Sequence, residues 1–98
     1  MNKTGYSVYV VELSPEAQTD ERLAVYVGAT SLTPEERFEN HKAGRKASRA
    51  AKKYGVRLRP DLYPAPAGSF DTWNEAADEE KRWAEVLRGR GLLVYGGH

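Results

Sequence analysis

The sequence predicts an α+β domain with its elements in the order β-β-α-α-β-α, followed by a short extended C-terminal segment. Three observations carry this prediction. Tyr6–Leu13 and Leu23–Gly28 are β-branched and aromatic runs joined by the nine residues Ser14–Arg22. That connection suits an antiparallel pair, because a parallel crossover needs about a dozen residues or more. A helix-start signature, Thr33-Pro34-Glu35-Glu36, follows directly, and apolar residues recur at helical spacing from Trp73 to Leu87.

Each element has a local reason. In the first strand Tyr9, Val11 and Leu13 share one face and Tyr6, Val8 and Val10 the other. A strand apolar on both faces is expected to be central and covered on both sides. In the first helix Thr33 caps, Pro34 fits the first helical position, Glu36 completes a capping box, and Gly44 stops the helix after about Ala43. A second short helix, Arg45–Tyr54, carries Ala47, Ala50, Ala51 and Tyr54 at helical spacing and stops at Gly55. Val56–Leu58 alternates apolar residues with Arg and reads as a third strand, which Pro60 interrupts and which Leu62 and Tyr63 could continue. Pro64–Gly68 is a loop. Asp71 or Thr72 opens the longest helix, ending near Gly89 or Gly91, with an inner stripe of Trp73, Ala76, Ala77, position 80, Trp83, Ala84 and Leu87. Leu92–Tyr95 is the apolar C-terminal segment.

The 98 residues suit one domain. The absence of cysteine excludes a disulfide framework, a thiolate zinc site and a cysteine nucleophile. No apolar run approaches a membrane span and no signal-peptide core opens the chain, so a cytoplasmic protein without a membrane partner is expected. The net charge of +1 conceals segregation. Lys42, Arg45, Lys46, Arg49, Lys52, Lys53, Arg57 and Arg59 fall in a window, 40–60, that holds no Asp or Glu, and the rest of the chain carries −7. The window reads either as a phosphate-binding surface or as a solvated basic helix face.

Three sets of residues could carry chemistry. Arg37 and His41 are four apart on one helix and share a face. Arg offers a fork of donors for phosphate, and His can move a proton near neutral pH. The same pair could equally be an ordinary surface Arg and His. Glu80 falls inside the apolar stripe of the long helix, where a carboxylate is desolvated unless a cation or metal resolves the conflict. Alternatively the stripe is narrow there and Glu80 bridges to Lys or Arg in water, with Glu79 on the neighbouring face as a second candidate. Tyr9 and Tyr26 lie mid-strand on two strands that should pair, a position usual for packing residues. The second histidine, His98, reads as a C-terminal residue without a role. Walker, dinucleotide-binding and hydrolase-elbow motifs are absent.

Taken in order, these residues resemble the GIY-YIG nuclease family. Ser7-Val8-Tyr9 stands where that family has Gly-Ile-Tyr, and Tyr26-Val27-Gly28 stands for Tyr-Ile-Gly. Thr30, Arg37, His41 and Gly44 resemble the continuation of the second motif, and Glu80 resembles the late helical glutamate. The sequence departs from the pattern at Ser7 and in the length of the Ser14–Arg22 connection. The resemblance spans almost the whole chain and implies a small three-stranded antiparallel sheet flanked by helices, as a stand-alone catalytic domain. It implies metal-dependent hydrolysis of nucleic-acid phosphodiesters, of DNA more than RNA, directed by structure rather than sequence, with a protein partner a possible source of targeting. By position, Glu80 would hold Mg²⁺ or Mn²⁺, Arg37 would clamp the scissile phosphate, and Tyr9 would orient or deprotonate water once Arg37 or the metal lowered its pKa. Tyr26 and His41 would hydrogen-bond in the site, and the basic window would track the backbone. The competing reading is a catalytically weak nucleic-acid-binding module using the basic 42–59 surface.

Overall fold

The first two strands are Ser7–Leu13 (β1) and Ala24–Thr30 (β2), paired antiparallel with Ser7 opposite Thr30, Tyr9 opposite Gly28 and Val11 opposite Tyr26. This computed structural model describes residues 5–17, 21–44, 49–64 and 70–96, with only the backbone described at 49–51. Pro15–Ala17 forms a 3₁₀ turn in the long connection. The first helix, Pro34–Ala43 (α1), has the expected boundaries. Thr33 Oγ1 accepts from the Glu36 N–H, Glu36 Oε1 accepts from the Thr33 N–H, and Gly44 closes the helix at φ 83°.

The second helix is Arg49–Tyr54 (α2). The part of its expected range at 45–48, including Ala47, lies outside the described residues. Gly55–Leu58 (β3) pairs antiparallel with the other edge of β1. The expected continuation through Leu62 and Tyr63 does not occur, because Pro60–Leu62 turns as a 3₁₀ segment. Proline has no N–H for a ladder and fixes φ at a turn-compatible value. The long helix is Trp73–Gly89 (α3), opened by a second capping box between Thr72 and Glu75.

The sheet differs from expectation in one respect. Leu93–Gly96 (β4) pairs parallel with β2, so the sheet has four strands in the mixed order β3-β1-β2-β4, rather than three in antiparallel array. The antiparallel β3-β1-β2 portion is as expected. Helix α3 lies across the sheet, and the chain leaves it beside the open edge of β2, whose backbone groups β4 then satisfies. Both β1 and β2 are therefore interior strands.

The period-two alternation sorts their side chains into two cores. Val8, Val10, Val25, Val27 and Val94 meet Trp83, Ala84 and Leu87 of α3. On the other face Tyr9, Val11, Leu13, Ala17 and Ala24 pack with Phe38, Tyr54 and Leu58. The inner stripe of α3 is Ala76, Glu80, Trp83, Ala84 and Leu87. Trp73, expected in that stripe, is 49% exposed instead; it is the first residue of α3, and its ring meets that of Tyr6 in a T-shaped contact. Among the described residues no helix is long and apolar enough to cross a membrane.

Candidate active site

Tyr9 is held mid-β1 on the face covered by α1, and it is 1% exposed. Its hydroxyl lies 2.7 Å from Nε2 of His41, which α1 presents from its last turn and which is fully buried. Tyr26, on β2, completes a triangle of rings. Its centroid is 6.3 Å from that of Tyr9, and it meets His41 edge-on at 5.5 Å. Arg37, one turn before His41, hydrogen-bonds Tyr9 and acts electrostatically on both Tyr9 and His41. Glu80 is 7% exposed on α3, and its charge also reaches Tyr9. Side chains from β1, β2, α1 and α3 thus fall within one electrostatic neighbourhood.

Burial decides the protonation states. It pushes the Tyr9 hydroxyl well above the ordinary phenol range, and Tyr26 and Glu80 push the same way. Arg37 pulls down but does not overcome burial. Arg37 acts in the direction expected of it, but burial outweighs it, and Tyr9 is a neutral phenol at neutral pH. His41 moves the other way, down from 6.5 to about 4, first through burial and then through the nearby Arg37 charge. It is a neutral imidazole at pH 7. Arginine can only donate, so the Tyr9 oxygen accepts from Arg37. In the Tyr9–His41 bond the hydroxyl is the donor when the imidazole proton sits on Nδ1, and the acceptor when it sits on Nε2.

Two glycines shape the tyrosine pocket. Gly28 sits opposite Tyr9, and a Cβ there would lie 2.6 Å from the Tyr9 hydroxyl and 2.9 Å from Cε2 of Tyr26. At Gly96, in β4 at φ 78°, a Cβ would run into the Val27 carbonyl and lie 2.7 Å from Cε1 of Tyr26. Sequence reasoning gave Gly28 no role beyond its tripeptide. It missed Gly96 altogether, because nothing in the sequence shows that β4 lies beside β2.

Glu80 is buried, so the water-exposed reading of it is overturned. Glu79 instead takes a bidentate surface ion pair from Arg82, with Nε 2.8 Å from Oε1. Among the described residues no group of three or more acidic or histidine side chains gathers as a metal cage. A cation here would have Glu80 as its protein carboxylate.

The basic window is acid-free in sequence but not in space. Pairing of β1 with β3 brings Glu12 opposite Arg57. Arg57 and Arg59 both donate to Glu12 at 3.0 Å, and Arg59 also holds Asp61 at 2.8 Å. These two arginines are therefore committed to carboxylates. Lys42 donates to the Gly55 carbonyl at 2.7 Å. Lys52 and Lys53 are exposed, Lys53 lying over the Tyr54 ring. Arg45, Lys46 and His98, and the side chain of Arg49, lie outside the described residues.

Comparison of the chain with protein-family models, with curated proteins and with solved structures finds no match.

Proposed function

We propose that the chain is a metal-dependent endonuclease of GIY-YIG type that hydrolyses nucleic-acid phosphodiester bonds, in DNA more than RNA, by structure rather than sequence. The observation that carries this reading is the buried Tyr9–His41 hydrogen bond with Arg37 and Glu80 in electrostatic reach. Packing alone does not call for a histidine, an arginine and a carboxylate around a buried phenol. The first half of the resemblance comes from paired strands and the second half from two helices, and the fold supports their meeting.

In this reading Arg37 clamps a phosphate and stabilises charge developing on it. Tyr9 orients the attacking water, and His41 takes the proton through Tyr9. Tyr26 packs against both rings and fixes their positions. The donor set fits a hydrated Mg²⁺ or Mn²⁺, ions that bind through one carboxylate and leave places for water and phosphate. When bound at Glu80, such an ion would offset charge on the leaving oxygen.

The test is incubation with branched, nicked and flapped DNA and with RNA, with and without Mn²⁺. Metal-dependent cleavage is expected, with Arg37→Ala and Glu80→Ala each lowering it by about 10²-fold or more. Salt-dependent binding without cleavage at any metal concentration would replace the nuclease by the binding module. That module is the weaker reading, because Arg57 and Arg59 are already paired with acids.

A further inference from the structure

We infer that Ser7 and Thr30 form a phosphate subsite beside Tyr9, where their two hydroxyls donate to the phosphodiester next to the scissile one. This rests on the nuclease reading and names its substrate class: a strand that continues through at least one further phosphate, so that a lone terminal phosphodiester is a poor substrate.

The strand register builds the subsite. In the antiparallel pair of β1 and β2, Ser7 lies opposite Thr30 and Tyr9 opposite Gly28. Residues two apart on a strand share a face, as do residues directly opposite each other. Ser7 and Thr30 therefore stand on the face of Tyr9 and Tyr26, the one that α1 covers. Ser7 precedes Tyr9 by about 6.8 Å of strand. The chain passes from Thr30 into α1 through three residues. Arg37 stands about 6 Å nearer that end of α1 than His41 does, so the permanent cation of the site is displaced from His41 towards the hydroxyl pair.

Both hydroxyls are buried and have donor capacity to spare. Ser7 is 7% exposed and Thr30 5%. Thr30 Oγ1 accepts from the Leu32 N–H at 3.0 Å, which fixes the oxygen and leaves its hydrogen to donate. Serine and threonine facing each other across a strand pair can bond to each other. Here no side-chain hydrogen bond joins Ser7 to Thr30 or to another described residue. A buried hydroxyl without a partner is costly, and aliphatic side chains fill this face elsewhere, as Val11 and Ala24 do. Two donors beside an arginine match the ionised oxygens of a phosphate, to which a hydroxyl bonds more strongly than to a neutral acceptor. The acids of the first turn of α1 do not close the subsite. Glu36 is turned back onto the Thr33 N–H and hydroxyl, and Glu35 is exposed.

A double-mutant cycle between protein and DNA isolates the contact. A single neutral methylphosphonate is moved along the cleaved strand of a flapped or gapped DNA. Ser7→Ala and Thr30→Val should each lower kcat/KM about tenfold on natural DNA, and methylphosphonate at one position flanking the scissile bond should lower the wild type by a similar factor. On that modified DNA the variants should match the wild type within about twofold, because the same bond is lost only once. A variant that merely disturbs the fold loses as much on the modified strand as on the natural one. Losses that multiply in this way, or variants that cleave natural DNA as the wild type does, would overturn the subsite and leave the nuclease reading intact. A wild type that cleaves nothing would overturn the nuclease, and the same cycle run on equilibrium binding then decides the subsite. Weakening by Ser7→Ala confined to the natural strand keeps it, and equal weakening on both strands removes it.

Discussion

Gly28→Ala should disable the tyrosine–histidine pair by one methyl group. The added Cβ would lie 2.6 Å from the Tyr9 hydroxyl, 2.8 Å from Cζ and 2.9 Å from Cε2 of Tyr26, where ordinary contact begins at 3.4 Å. The hydroxyl must retreat by about 0.8 Å to reach ordinary contact. From a starting length of 2.7 Å, a retreat directed away from His41 takes the bond beyond its useful range. Both rings are confined, with Tyr9 1% exposed, so relief must come from strain. Overpacking of this kind costs about 1–3 kcal/mol, and in a domain of this size each kcal/mol lowers Tm by about 4–8 °C. Denaturant midpoints and Tm measure that cost. NMR titration of the histidines measures the geometry, because His41 and His98 are the only two and His41 titrates far below the ordinary range. A His41 pKa displaced from about 4 is expected, together with the proposed nuclease activity lowered by about 10² through misplacement of the hydroxyl. A variant with wild-type stability and an unchanged His41 titration would refute the close approach on which the pocket rests.

Stability should fall as pH drops from 6.5 towards 4, because unfolded His41 takes up a proton there and folded His41 does not. The contribution is at most about 3 kcal/mol, and urea midpoints at pH 7 and 4.5 should differ by less in His41→Gln. Glu12 and Asp61, held below the carboxylate range by Arg57 and Arg59, begin to lose their contributions only as pH falls to their ordinary values of 4.5 and 3.8, at the bottom of this window. Arg37→Ala should raise the His41 pKa, read by NMR, because the guanidinium charge helps to depress it; an unchanged value would remove Arg37 from the site. Glu12→Ala should free positive charge on β3, so binding to duplex DNA should tighten several-fold at low salt with a steeper salt slope. Binding indifferent to Glu12→Ala would move the nucleic acid away from that edge.

Much of this architecture was legible because its signals are local. The capping box at Thr33, the stop at Gly44, a long-helix start at Asp71 or Thr72 and the two apolar faces of β1 depend on neighbouring residues, and the structure has them, with Thr72 as the cap of α3. Features set by distant pairing were not legible. Nothing within Leu92–Tyr95 says that it lies parallel to β2, and without that pairing Gly96 reads as a tail residue instead of a wall of the Tyr26 pocket. The paired state of Arg57 and Arg59 likewise depends on Glu12, some 45 residues away in the chain. Helical periodicity put Trp73 inside, but it says nothing of what packs against the first residue of a helix, and Trp73 is half-exposed there. For the site, spacing placed Arg37 and His41 on one face and Glu80 in the apolar stripe. The protonation states needed the degree of burial, which at Tyr9 outweighs the downward pull of Arg37.

The energetics of the cluster separate folding from function. A small domain buries little more than about 60% of its chain surface, and here some of that interior is given to His41 and Glu80. Buried polar and charged groups must recover their lost hydration through partners, and well-packed apolar residues of similar volume often serve stability equally well or better. Val10, Val11, Val25 and Val27 show that these same strands accept fully buried aliphatic side chains. The Tyr9–His41 bond and the buried Glu80 are therefore costs the fold does not require. What they provide is a phenol and an imidazole in hydrogen-bond contact, with a permanent cation and a carboxylate in electrostatic reach of the phenol. That arrangement is of use where charge and a proton must move together, as they do when water attacks a phosphodiester.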